Sequence, residues 1–325
     1  MVRYVAGRLT HGAGIVFLVA TLSFVLIRVA PGDPFTRMWE ASSASPELVA
    51  RARHKLGLDL PVHRQYFTYL GNLAKGDWGL SYSEHRPVWD AMRERIPATV
   101  VLALAALTIE FILGITIGAL QGTYPGSRTD DALTATTLTL YSLPVFWLGL
   151  MLLLVFGQGL AILPVSGVTT TAVYDHLPPL GKLWDRAQHL FLPAVTLGLV
   201  GAAGIARYER AAMLDCVRQE FIRTARAKGL TERTVLLRHA LRNALLPIIT
   251  LFGLSFPILL SGTVLVESVF AWPGLGKFVV DSIARRDYNV VTSAAVVAAV
   301  MVVVGNLLAD VLYRVVDPRT RGEQA

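Results

Sequence analysis

Cysteine is nearly absent. Cys216 is the only one in 325 residues, which excludes an intrachain disulfide and any metal site built on cysteines. The seven histidines, at 11, 54, 63, 85, 176, 189 and 239, include no pair at ligand spacing on one helix turn, so no metal site is expected. Charge is scarce as well: Asp, Glu, Lys and Arg make up 16% of the chain, against about 25% in soluble domains. No Walker phosphate loop occurs. The stretch GLGKF at 274–278 lacks the first glycine at the required spacing and has Phe278 where Ser or Thr belongs, so it reads as a turn. No nucleophile–base pair stands out, and basic and aromatic residues do not interleave. An enzyme and a nucleic-acid binder are therefore both disfavoured.

What is present is apolar surface. Hydrophobic residues reach 54% and the mean hydropathy is +0.52. Apolar runs recur at roughly 9–30, 98–120, 135–157, 189–206, 244–266 and 289–312, each long enough to cross about 30 Å of hydrocarbon as a helix. The expectation is an all-α integral membrane protein with six transmembrane helices. The first run is longer than a signal-peptide core, and Arg28-Val29-Ala30 lacks a small-x-small cleavage pattern, so it reads as a retained anchor.

Lys and Arg set the orientation. With the N-terminus inside, the cytoplasmic segments hold 15 of them and the short outer segments 5, which places both termini in the cytoplasm. The +7 net charge then reads as a topology signal. The expected organisation is residues 1–30 as N-terminus and first span, 31–97 as an extracytoplasmic helical cap, 98–314 as a five-helix core with a loop at 207–243, and 315–325 as a cytoplasmic tail. Within the cap, Ser45-Pro46-Glu47 starts a helix closed by Gly57, Pro61 opens a second, and 88–96 forms a short amphipathic third.

The loop from Arg207 to Arg242 carries nine Arg or Lys. Met213, Val217, Phe221 and Ala225 recur at i, i+4, with Leu214 and Ile222 beside them, an apolar stripe on one helix. Gly229 suits the left-handed position that ends a helix, with Leu230 placed for the accompanying contact. Thr231 reads as an N-cap for TERTVLLRHAL, and Pro247 falls near the start of span 5, where a helix tolerates it. The pattern predicts two helices joined by a glycine turn, projecting into the cytoplasm. The loop either docks a protein or only fixes topology and meets anionic lipid headgroups. Two capped helices exceed what topology needs.

FIRTARAKGLTERTVLLRHALRNALLPIIT resembles the EAA loop of binding-protein-dependent ABC importer permeases, in the variant of the oligopeptide and dipeptide branch. Thr224-Ala225-Arg226 stands where the general motif has Glu-Ala-Ala, and Leu241-Arg242 where it has Leu-Pro. RIPATVVLALAAL, YSLPVFWLGLMLLLVF, LPVSG and VLVESVFAWPGLGKFVVDSIARRDY extend the resemblance over nearly the whole chain, toward the B-type subunit with a large outer loop after span 1. The resemblance implies the type I importer permease fold and a cytoplasmic coupling helix at 219–231. It implies ATPase-coupling residues Glu220, Thr224, Ala225, Arg226, Ala227, Lys228, Gly229, Leu230 and Thr231. Arg226 and Lys228 would pair with groups at the rim of an ATPase cleft, and Ala225 and Ala227 would allow close approach. It also implies a C-type permease partner, two ATP-binding subunits that carry the ATP and Mg, an extracytoplasmic peptide-binding protein, and the bacterial cytoplasmic membrane. No cofactor is expected in this chain.

Trp272, Pro273, Gly274 and Lys277 are candidate contacts for the delivering protein. Glu110, in the middle of span 2, is a substrate-path candidate because carboxylates inside membranes are expensive; the plainer reading is a hydrogen-bonded carboxyl between helices. Asp310, near the inner end of span 6, is expected to face water or a basic neighbour. The competing function is a six-helix secondary carrier or channel, which predicts inverted repeats and charged pairs at the membrane midplane. The sequence shows no clear repeat.

Overall fold

The computed structural model describes residues 2–29 and 59–316. The helix expected at 46–57, the start of the tail beyond 316 and the side chain of Asp310 lie outside the described residues. Apart from an isolated Leu80–Pro87 bridge, the regular structure among the described residues is helical. Five helices are long and apolar enough to cross a membrane, or six if one bent pair counts as a span. The chain divides into two compact units, one drawn from Met1–Pro97 and Phe278–Met301, the other from Ala98–Lys277 and Val302–Ala325.

The first unit contains α1, Val2–Val29, α2, Val62–Ala74, and α3, Val88–Arg93. Pro61 and Pro87 precede the latter two, where a proline's missing N–H leaves no helical bond unmade. Thr21 on α1 shares a 2.7 Å hydrogen bond with the Tyr66 hydroxyl on α2, and Phe24 meets the Tyr66 ring edge-on at 5.3 Å. Asp287, fully buried, accepts from the Ser81 hydroxyl at 2.6 Å and from the Ser83 backbone N–H and hydroxyl, both at 2.9 Å. All three donors converge on its Oδ2 and tie residues 81–83 to the entry of the last span.

The second unit is built on α4, Ile96–Thr123, and α7, Pro179–Val217. Helices in lipid associate through close packing, because lipid tails solvate apolar side chains as well as a neighbouring helix does. The contact is made by Gly114, Gly118 and Gly122, one per helical turn. A Cβ on them would fall 2.6 Å from Ile205 Cβ, 2.5 Å from the Ala206 carbonyl oxygen and 2.5 Å from Met213 Cβ respectively. Leu102 and Phe111 of α4, Leu192 and Ile205 of α7, and Ile248 of the later helix Leu241–Val269 share the core around it.

Two expected boundaries change. Span 3 is not one helix over 135–157. It is α5, Arg128–Ser142, followed by α6, Val145–Leu152, and a π-helical turn at Leu153–Gly159, with a 107° bend between the halves. Pro144 causes the break: it lacks the N–H the helix needs and pushes Leu143 into an extended conformation (φ −78°, ψ 136°). Span 4 is not 189–206 but the 39-residue α7; the apolar run is only its middle.

Candidate functional site

The basic loop begins inside α7. That helix continues past Arg207 and Arg210 to Val217, then the chain turns at Arg218 and Gln219 into α8, Glu220–Ala227. The single stripe through Met213, Val217, Phe221 and Ala225 is therefore broken between 217 and 220. Met213 and Ala225 are buried from separate helices, while Phe221 is exposed. The inward face of α8 is instead Ile222 and Ala225, closed by Met213, Val235, Ala240 and Ala244 into a small core of its own.

α8 ends where Gly229 was expected to end it. Gly229 has φ +76°, a conformation that strains any residue with a Cβ. Its N–H donates to the Arg226 carbonyl at 2.9 Å, and the Leu230 N–H to the Ala225 carbonyl at 3.4 Å. These are the two bonds of a Schellman cap. Thr231 stands at the N-cap of α9, Glu232–Thr234, but its hydroxyl pairs with that of Thr234 at 2.9 Å instead of capping a backbone N–H. A π-helical segment, Val235–Ala240, then leads into α10, Leu241–Val269, with Pro247 in its second turn. The tip is thus continuous with a membrane-crossing helix.

Eight of the nine expected coupling residues (Glu220, Thr224, Arg226, Ala227, Lys228, Gly229, Leu230 and Thr231) are exposed on this tip. Ala225 is not: at 4% exposure it packs inward, because it belongs to the buried face of α8, and it offers no docking surface. Arg226 is exposed, yet its Nε and Nη2 donate to both Glu232 carboxylate oxygens, at 3.1 and 2.6 Å. Those bonds hold its guanidinium pKa above the ordinary value. Arg223 pairs with Glu220 at 2.7 Å. Arg210 is not a loop charge: its Nε and Nη2 donate, at 3.0 and 2.8 Å, to buried Asp130 on α5.

Glu110 is 5% exposed and accepts from the Ser255 hydroxyl of α10 at 3.1 Å. A Cβ on Gly201 of α7 would strike its carboxyl. This is the geometry of a carboxyl held between helices, the plainer of the two readings. Near residue 274 the expected turn is a helix start: α11, Leu275–Ala284. Buried Glu267 accepts from the Lys277 N–H at 2.9 Å and from the Thr99 hydroxyl at 2.7 Å, while the Leu275 N–H donates to Thr99 Oγ1 at 2.8 Å. The carboxylate caps the new helix. Trp272, whose indole N–H donates to the Ala98 carbonyl at 2.9 Å, and Gly274, pressed against Glu267, are buried. Their burial removes both from any contact surface; Pro273 is exposed and Lys277 half-buried.

Glu267 and Glu209 escaped the sequence reading. Glu209 lies on α7 with zero exposure, its side chain against Gly118, and neither carboxyl oxygen has a hydrogen-bond partner among the described residues. Among those residues, no group of three or more His, Cys, Asp or Glu is placed to hold a metal ion.

Such an arrangement, with a capped, exposed helix–glycine–helix tip leading into one span, is that of a polytopic helical membrane protein. The chain belongs to the family of binding-protein-dependent transport system inner membrane components, whose model matches residues 114–322, with the family's N-terminal membrane component at 1–103. It is 40% identical to the di/tripeptide transport system permease protein DppB of Pseudomonas aeruginosa (strain UCBPP-PA14), over all of both chains. It is 42% identical to the oligopeptide transport system permease protein AppB of Bacillus subtilis (strain 168), over 98% of this chain and 99% of that one. It is 36% identical to the glutathione transport system permease protein GsiC of Escherichia coli (strain K12), over 99% of each. A chain of the inward-facing MetNI methionine ABC transporter superposes with TM-score 0.54 at 18% identity, over 70% of this chain and 96% of that one. The fold is that of type I ABC importer permeases.

Proposed function

We propose that this chain is the B-type transmembrane subunit of an ATP-driven importer of dipeptides or oligopeptides, seated in the bacterial cytoplasmic membrane with both termini inside. It pairs with a homologous C-type permease, two ATPase subunits that bind ATP and Mg, and an extracytoplasmic peptide-binding protein. The observation that carries this reading is the tip: a short helix closed by a Schellman cap and held by its own apolar core. The full-length similarity to di/tripeptide and oligopeptide permeases supports the substrate class.

The tip acts as a lever. Closure of the ATPase pair pulls α8, and with it the end of α7 and the start of α10, so that the inner side of the path shuts and the outer side opens. Exposed Phe221, Leu230 and Leu237 supply apolar contact to the ATPase, and Lys228 a charge for its rim. Pro273 and Lys277 face the delivering protein.

The test is ATP hydrolysis and peptide uptake by the full complex in lipid vesicles, for wild type and Gly229→Val. The open space around Gly229 means valine acts only through the backbone, at about 1–2 kcal/mol for leaving the left-handed region or holding it under strain. Hydrolysis is expected to persist while uptake is lost. Fully coupled uptake in the variant, or uptake by this chain alone driven by an ion gradient, overturns the proposal.

A further inference from the structure

One charged side chain of the coupling tip, Arg226, is paired within the chain. Arg226 presents the Nε/Nη2 edge of its guanidinium to both oxygens of Glu232. This is the fork-to-fork arrangement that fixes direction as well as distance. The pair crosses the Gly229 turn, from the last turn of α8 to the first residue of α9. Beneath it, Ile222 and Ala225 pack with Val235. The two arms are therefore joined at two points, an apolar contact and an ion pair, in addition to the Schellman bonds of the turn itself.

Resting on the coupling role above, we propose that Arg226 is a positioning residue acting within the chain. Through Glu232 it fixes the angle between α8 and the helix that becomes α10, so that displacement of α8 is passed into the membrane and not absorbed at Gly229. Two of its five donors, one on Nε and one on Nη2, are directed at Glu232 within the chain. An exposed ion pair adds little to overall stability; what it supplies here is a fixed angle. Glu232 also sits in the first turn of its helix, where negative charge is favoured, so exchange of the two charges restores the clamp incompletely.

The test uses the complete complex in lipid, with Arg226→Glu, Glu232→Arg and the double exchange, and two readouts: amide hydrogen exchange over 228–235 and ATP hydrolysed per peptide imported. Each single variant is expected to speed exchange of the turn amides by about two- to fivefold and to raise ATP consumed per peptide. The double variant is expected to recover most of both. Turn amides that exchange at the wild-type rate in the single variants overturn the clamp. So does a double variant no better than Arg226→Glu, which would put the partner of Arg226 on another chain. If exchange responds and is rescued while ATP per peptide stays constant in every variant, Gly229→Val included, the clamp stands and the coupling role of the tip falls.

Discussion

Glu209 is the residue whose burial the sequence hid most completely. Its neighbours Arg207 and Arg210 make the stretch read as a solvated basic loop, yet Glu209 has zero exposure and no partner among the described residues for either oxygen. A buried polar group left unpaired costs roughly 1–3 kcal/mol. Glu209→Met keeps the length of the side chain and removes that penalty. The variant's thermal unfolding midpoint in detergent is expected to rise, by the equivalent of about 1–3 kcal/mol; a lower midpoint would show that Glu209 holds a partner in the assembled state. Gly229 is the opposite case. Its left-handed backbone answers a purely local requirement, the end of a helix, and local requirements are legible in a few consecutive residues. The burial of Glu209 depends on how far α7 runs and on what packs against it, which no short window contains. Ala225 and Trp272 follow the same logic: motif position names them, and packing turns them inward.

At the scale of elements, the α4–α7 contact was written in the chain as Gly114, Gly118 and Gly122 and went unread, because hydropathy scores glycine as neutral while helix packing in lipid prizes it for the absence of a side chain. A Cβ at Gly118 would come 2.5 Å from the Ala206 carbonyl oxygen and 3.0 Å from the Arg210 nitrogen, both backbone atoms that cannot step aside without moving the helix. Gly118→Ala is expected to destabilise by about 1–3 kcal/mol, and Gly118→Leu to leave little monodisperse protein after detergent extraction. Gly204→Ala, where the nearest atom is 3.9 Å away on Tyr141, serves as the control and should extract like wild type. Equal yields from Gly118→Leu and the control would mean that α4 and α7 do not pack through this face. The bend at Pro144 was missed for a related reason. A sliding average over 135–157 records that the segment is apolar and is blind to its direction, although Leu143-Pro144 carries the local signal for a break.

For the whole molecule, class was the most legible property: scarce charge and repeated apolar runs leave few alternatives to a helical membrane protein, and the runs at 98–120, 244–266 and 289–312 fall within the helices Ile96–Thr123, Leu241–Val269 and Tyr288–Val316. Orientation rests on the distribution of Lys and Arg alone and makes a separate prediction. α7 has 39 residues, about 58 Å of helix, nearly twice the roughly 30 Å of hydrocarbon it must cross. A crossing by α7 puts its two ends on opposite sides of the membrane, however the bent pair before it is counted. Leu180, 79% exposed, marks one end, and the tip around Lys228 lies beyond the other. Cys216 is the only native thiol, so Cys216→Ser gives a background in which a single introduced cysteine reports one position. In that background a membrane-impermeant thiol reagent is expected to label Leu180→Cys in intact spheroplasts and Lys228→Cys only in inverted vesicles. The reverse pattern would place the basic tip outside, against the positive-inside asymmetry, and no ATPase could reach it there. Labelling of both positions from one side would mean that α7 does not cross the bilayer, and the six-span reading would fall with it.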